Sequence, residues 1–186
     1  NEVSLYRKSK LVPGPEIFPF KEILFFMEPL VRSLGGTIAG LGTQEERSVF
    51  EGKAGKVAPI ICYESVFGSY VTDYVKKGAE ALIIMTNDGW WDKTPGHLQH
   101  LRFASLRAIE TRKGVARAAN TGISAFINSR GDLIDQSQYS ETIALKGNLA
   151  FNSKTTFYTH WGDFIPRIAL LITGLLILNL VSKRRV

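Results

Sequence analysis

The chain carries one cysteine, Cys62, and its setting invites chemistry. The preceding residues, Val57-Ala58-Pro59-Ile60-Ile61, read as a buried strand. Tyr63-Glu64-Ser65 follows at once, with Gly68 supplying a turn. A nucleophile placed where a strand turns into a helix stands at the sheet edge, where a substrate can reach it. The competing reading is a small buried hydrophobe, the usual place of a free cysteine. On the spacing alone both stand.

Other chemical residues lie on either side. The cations of Arg7-Lys8-Ser9-Lys10 run into Leu11-Val12-Pro13-Gly14-Pro15-Glu16, a loop that its prolines and glycine keep out of regular structure. A lysine beside a stiff loop bearing an acid can be held rather than solvated. Trp90-Trp91 ends the run Thr86-Asn87-Asp88-Gly89; adjacent tryptophans either cap a core or line a pocket. His97, His100 and His160 form no convincing ligand set, so neither a metal nor any other cofactor is expected.

Several elements must position these groups. Ala81 to Met85 reads as a second buried strand, and Val66 to Lys77 as a helix closed by Gly78. Gly96 to Lys113 is the clearest helix. Leu98, Leu101, Ala104, Ser105, Ala108 and Ile109 are expected on its apolar face; Arg102, Arg107, Glu110, Thr111 and Arg112 on a solvated one; Gly114 is expected to stop it. Val115 to Ala118 and Ile123 to Asn128 read as strands, and Ser129 to Asp132 as a hairpin turn before Leu133-Ile134. Toward the amino end, Val3 to Tyr6 alternates like a strand. Pro19 to Ser33 has helical spacing, Gly35-Gly36 a turn, Thr37 to Gly42 a strand, and Thr43 to Lys56 a polar hairpin. Strands alternating with helices, then a hairpin, give an α/β or α+β layered domain.

Composition narrows the function. The 186 residues suffice for one domain, and the net charge of +6 is not gathered into one long run. No nucleic-acid motif is present, so nucleic acid is not an expected partner. One cysteine excludes an internal disulfide framework. Ile168 to Val181 is nearly unbroken apolar sequence, closed by Lys183-Arg184-Arg185. From Phe164 it would extend about 27 Å as a helix, near the lower limit for a bilayer core of about 30 Å. Trp161, Phe164 and Arg167 sit where interfacial anchors belong. We expect a membrane span, with the basic end cytoplasmic and the domain on the other side. The alternative is a buried core helix.

Taken together, Tyr6-Arg7-Lys8, Leu11-Val12-Pro13 with Glu16, Ile61-Cys62-Tyr63-Glu64, Thr86-Asn87-Asp88-Gly89-Trp90-Trp91, Gln99-His100-Leu101, Arg107-Ala108-Ile109-Glu110 and Arg117-Ala118-Ala119-Asn120-Thr121-Gly122 resemble the nitrilase superfamily. The branch they resemble is the apolipoprotein N-acyltransferase of the bacterial envelope. The resemblance implies a four-layer αββα sandwich over residues 1–163, incomplete at its amino end. A transmembrane helix over 164–182 and a basic cytoplasmic tail over 183–186 follow it. The inner membrane is the implied location, with the catalytic domain on the periplasmic side.

The resemblance also implies a Glu-Lys-Cys triad. Cys62 matches its nucleophile and Lys8 its lysine. Glu16 matches a further acid, although the family's Pro-Phe-Gly-Glu reads Pro13-Gly14-Pro15-Glu16 here. Tyr63, Glu64, Trp90 and Trp91 fall in the substrate loop and oxyanion region, with the Tyr63 backbone N–H as a donor. The triad glutamate lies upstream of the lysine in this family, and Glu2 is too close to serve, so the sequence reads as a piece of a longer protein, inactive alone. A thiol of pKa about 8.5 needs such a base at neutral pH. The implied reaction moves an acyl chain from a membrane phospholipid, through a thioester, to the α-amine of a diacylglyceryl-cysteine on an apolipoprotein. Two other readings stay open: a soluble-type amidase acting on a small amide, and a membrane-tethered binding module without catalysis.

Overall fold

The structure is a computed structural model and describes residues 4–13, 16, 17, 26, 42–92 and 94–183. The expected Pro19–Ser33 helix, the Gly35-Gly36 turn and the Thr37–Gly42 strand lie outside these residues, apart from Phe26 and Gly42. So do Gly14, Pro15 and the tail beyond Lys183.

Six strands form one sheet in chain order: β1 (Phe50–Gly52), β2 (Gly55–Ile61), β3 (Ala81–Thr86), β4 (Gly114–Ala119), β5 (Ala125–Ile127) and β6 (Leu133–Gln136). β2, β3 and β4 are parallel, Ile60 opposite Ile84 and Ile84 opposite Arg117; β1, β5 and β6 add antiparallel edges. The parallel centre follows from its apolar runs, since crossover helices leave such strands little access to water. Val3 to Tyr6 is not borne out as a strand where it is described. Ser4 to Ser9 belongs to no strand and is held by side chains described below.

The crossovers are α1 (Gly68–Lys76) and α2 (Gly96–Thr111). Ala58, Ile60, Leu82, Ile84 and Val115 of the sheet form one core with Tyr70, Val71, Tyr74, Leu101, Ala104 and Ala108 of the helices. Gly78, at φ 95°, closes α1 as its left-handed successor residue. Gly114 does not stop α2: the chain turns at Arg112, in the left-handed region at φ 55°, and Gly114 already belongs to β4.

The face of α2 also differs from expectation. His97, His100, Arg107 and Thr111 are buried beside Leu101, Ala104 and Ala108, whereas Leu98 and Ile109 are largely exposed. The cause is polar satisfaction. Arg107 donates to the Val66 carbonyl at 3.0 Å and pairs with Glu110 at 2.9 Å, so it fastens α2 to the chain after Cys62 instead of facing water.

Ile83, Met85, Ala116 and Ala118 alternate with the core residues and are only partly covered. They form a second apolar face, where a sandwich would lay its other sheet. Among the described residues, one sheet and one helical layer are present.

Beyond β6 the chain runs without regular structure to α3 (Phe157–Trp161), then α4 (Phe164–Lys183). Lys113 is fully buried and donates to the carbonyls of Asn152 and, at 2.7 Å, Lys154, pinning this long segment to the sheet. α4 has 20 residues, none of them buried, and its most apolar 18-residue stretch has a mean hydropathy of 2.2. It is about 30 Å long, which is long and apolar enough to cross a bilayer. Pro166 falls in its first turn, where the missing N–H costs nothing.

Replacing Lys113 with methionine strands two carbonyls under the loop. We expect a loss of about 1 to 3 kcal/mol, read as a lower unfolding temperature with the Cys62 thiol still open to labelling.

Candidate active site

Cys62 is the first residue after β2 and opens a 3-10 turn, Cys62–Val66. Its φ is 51°, the left-handed region that a residue with a Cβ normally avoids. This is the geometry of a nucleophile on a sharp strand-to-helix turn. The side chain is partly exposed and lines a cavity of about 440 Å³. Val12, Tyr63, Trp90, Trp91 and Phe103 make most of that lining apolar, and Glu16 is its one carboxylate among the described residues.

Glu16 also holds the expected lysine. Lys8 Nζ donates to Glu16 Oε1 at 2.7 Å and Oε2 at 2.6 Å, and the Val12 amide donates to Oε2 at 2.8 Å. Glu16, whose amide donates to the Val12 carbonyl at 3.0 Å, thus lies back against the lysine. Trp90 and Trp91 are 62% and 46% exposed and sit at the cavity mouth rather than on the core. Both lie in a second 3-10 turn, Gly89–Trp91, at the carboxyl end of β3.

Glu64, two residues past Cys62, turns away from the cavity. It is fully buried and absent from the cavity wall. Its Oε1 accepts from Tyr6 Oη at 2.6 Å, the Ser9 amide at 2.6 Å and Tyr70 Oη at 3.0 Å; its Oε2 accepts from the Ile61 amide at 2.7 Å. Burial pushes the Tyr6 hydroxyl well above the usual phenol range, and the bond to Glu64 adds to this, so that oxygen stays a donor. Glu64 therefore ties the Lys8 segment to the cysteine turn.

A second buried network, which the sequence reading missed, lies on the other side of that turn. His100 Nδ1 is 2.8 Å from Asp88 Oδ1, and His100 Nε2 is 3.0 Å from Ser65 Oγ and 3.2 Å from the Cys62 carbonyl. Ser65 Oγ also donates to that carbonyl at 2.8 Å. Arg117 closes the chain, with Nη2 2.5 Å from Asp88 Oδ2. Because a carboxylate only accepts, His100 Nδ1 carries the proton facing Asp88. Burial alone would raise Asp88, but the His100 bond and the Arg117 guanidinium outweigh it and hold the carboxyl at about 2. Gly122 makes room for this network, since a Cβ there would lie 2.2 Å from Asp88 Oδ2. The network was legible only as separate fragments of sequence, because Asp88, His100 and Arg117 sit on three different elements.

The histidines show no metal set, and among the described residues no cluster of three or more His, Cys, Asp or Glu could hold an ion.

Residues 1–153 match the carbon-nitrogen hydrolase family. The chain is 35% identical over 188 residues to an apolipoprotein N-acyltransferase of Chlorobaculum tepidum, covering 98% of this chain and 35% of that protein. It is 34% identical to the enzyme of the same name from Brucella suis, covering 98% and 34%. The chain thus spans about a third of the length of these relatives. Among solved structures, a mutant amidase from Nesterenkonia sp. AN1, with acrylamide added at its active-site cysteine, superposes with a TM-score of 0.51 at 14% identity. That match covers 89% of this chain and 57% of the other. The expected nitrilase-like fold is borne out.

Two outcomes test the buried network. Gly122→Ala should push a methyl group into Asp88 and cost about 1 to 3 kcal/mol, seen as a fall in unfolding temperature. Asp88 is held below its ordinary 3.8 in the folded protein. Its stabilising contribution, about 2 kcal/mol, is therefore full above pH 3.8 and is lost as pH falls toward 2. Unfolding temperatures of wild type and Asp88→Asn should converge over that acid range.

Proposed function

This chain belongs to the carbon-nitrogen hydrolase family, and we propose that it carries the acyl-transfer site of an apolipoprotein N-acyltransferase. The observation that carries the reading is Cys62 at a left-handed turn, opening into an apolar cavity of about 440 Å³ that also holds Glu16, the partner of Lys8. The relatives' names support the acceptor class, and α4 supports a membrane setting.

In this mechanism the Cys62 thiolate attacks the ester carbonyl carbon of a phospholipid. The C–S bond forms, the C–O bond to glycerol breaks, and a lysophospholipid leaves with the proton. The base that first takes the thiol proton is the glutamate which the resemblance places upstream of Lys8. Lys8 stands as the cation that stabilises the thiolate and then the oxyanion, with the Tyr63 N–H as a second donor. The α-amine of the diacylglyceryl-cysteine then attacks the thioester. A C–N bond forms, the C–S bond breaks, and the amine's proton passes through the same glutamate to the sulfur, regenerating the Cys62 thiol. Glu16 positions Lys8, and Trp90 and Trp91 offer the apolar wall along which an acyl chain can lie. α4 spans the inner membrane, with the catalytic domain on the periplasmic side.

The test uses the full-length protein in detergent with phospholipid. Wild type should gain the mass of one acyl group at Cys62, and Cys62→Ser should gain none. Acylation that persists at an unchanged rate in Cys62→Ser would sink the proposal. Lys8→Met should slow acyl-enzyme formation about a hundredfold or more, followed by the rise of the adduct in single turnover.

A further inference from the structure

A second cavity, of about 290 Å³, lies between α1 and the corner joining α3 to α4. It shares no residue with the Cys62 cavity. Lys10, Arg47, Lys76 and Arg167 bring four cations to it, and among the described residues Asp73 is its one carboxylate. That carboxylate is already divided: Oδ2 is 3.8 Å from Arg47 Nε and Oδ1 is 3.5 Å from Lys76 Nζ.

Ring faces hold two of these cations. Lys10 Nζ lies 5.6 Å from the Phe67 ring centre and 5.7 Å from that of Tyr70, and Arg47 Cζ lies 4.1 Å from Tyr70. An aromatic face fixes a cation without neutralising it. Neither Lys10 nor Arg167 has a carboxylate partner among the described residues. The cavity is therefore a preformed hollow with an excess of three positive charges.

Its place in the fold names the occupant. Arg167 belongs to the first turn of α4, and Trp161 lines the same cavity. Trp161 and Phe157 are about three-fifths exposed and stack at 6.1 Å, with the Phe164 ring edge-on to Phe157 at 5.2 Å. Exposed aromatic rings at the start of an apolar helix of this length mark the headgroup level of a bilayer. Cations gathered at that level meet lipid phosphates.

We propose that this cavity binds the phosphate-bearing headgroup of an anionic membrane lipid, as a docking site apart from the reacting cysteine. The site rests on the reading that α4 spans the membrane. The phosphate lies among Lys10, Lys76 and Arg167, while the acyl chains run along the exposed flank of α4. A lipid held there fixes the domain's height and rotation over the bilayer. No covalent step is involved.

The full-length protein, in a nonionic detergent, is titrated with phosphatidylglycerol, with phosphatidylcholine of the same chains, and with inorganic phosphate, lipid adducts being counted by native mass spectrometry. The structure requires tighter binding of phosphatidylglycerol than of phosphatidylcholine. Lys76→Gln/Arg167→Gln should weaken phosphatidylglycerol about thirtyfold, and Lys10→Gln alone about fivefold. These side chains lie outside the core, and circular dichroism checks that each variant is folded. Equal binding of the two lipids, or unchanged affinity in the variants, overturns the site. Displacement of the lipid by millimolar phosphate makes it a free-phosphate site and overturns the lipid assignment. Carbonate washing of membranes reads the span separately. A protein washed out sinks both the span and the lipid docking, whereas a retained protein that binds both lipids equally sinks the docking alone.

Discussion

The arrangement depends on burying the Glu64 carboxylate. A carboxylate removed from water must be met by donors, or its desolvation is not offset. Here the donors come from three places: Tyr6 and Ser9 of the amino-terminal segment, Ile61 at the end of β2, and Tyr70 of α1. The amino-terminal segment has no ladder bonds of its own where it is described. Hydrogen bonds donated to this acid, together with Glu16 on Lys8 itself and Gln44 beside Arg7 and Ser9, therefore set where Lys8 lies and couple that segment to the cysteine turn.

The second network works from beneath. Arg117, Asp88, His100 and Ser65 form an unbroken polar chain that ends on the Cys62 carbonyl. A left-handed φ at a residue with a side chain costs about 1 kcal/mol or more and persists only where neighbours over-determine it. These neighbours do so. Their charges balance internally, with the aspartate between a guanidinium and an imidazole, so the burial of polar groups is compensated. The cysteine turn is thus held from both sides by buried carboxylates, neither of which lines the cavity.

Much of the central sheet was legible because its strands are short apolar runs bounded by turns, and the exit of β2 at Cys62 followed from the same pattern. The pairing of Lys8 with Glu16 was legible in outline, because the cations run directly into a proline-containing stretch that bears an acid. Other features escaped. The alternation around Tyr6 suggested a strand, yet those residues are fixed by long-range side-chain bonds that periodicity cannot register. Arg107 and Thr111 looked like a solvated stripe, and Glu64 like part of the substrate loop. All three are buried because their partners, Val66, Glu110 and Tyr6 among them, become neighbours only through the fold. Arg112 ends its helix in a conformation usually left to glycine, which pulled the expected boundary to Gly114.

The parallel order of β2, β3 and β4 has a further consequence. Cys62, the Asn87–Trp91 loop and the Asn120–Gly122 turn all leave the sheet at the same end of adjacent strands, while Gly55, Glu80 and Lys113 mark the opposite end. The Cys62 cavity and the buried groups that brace its turn thus gather at one rim of the sheet. The same rim also carries the buried Asp88 and the Gly122 that packs against it, so the tryptophan loop can vary only around a fixed aspartate.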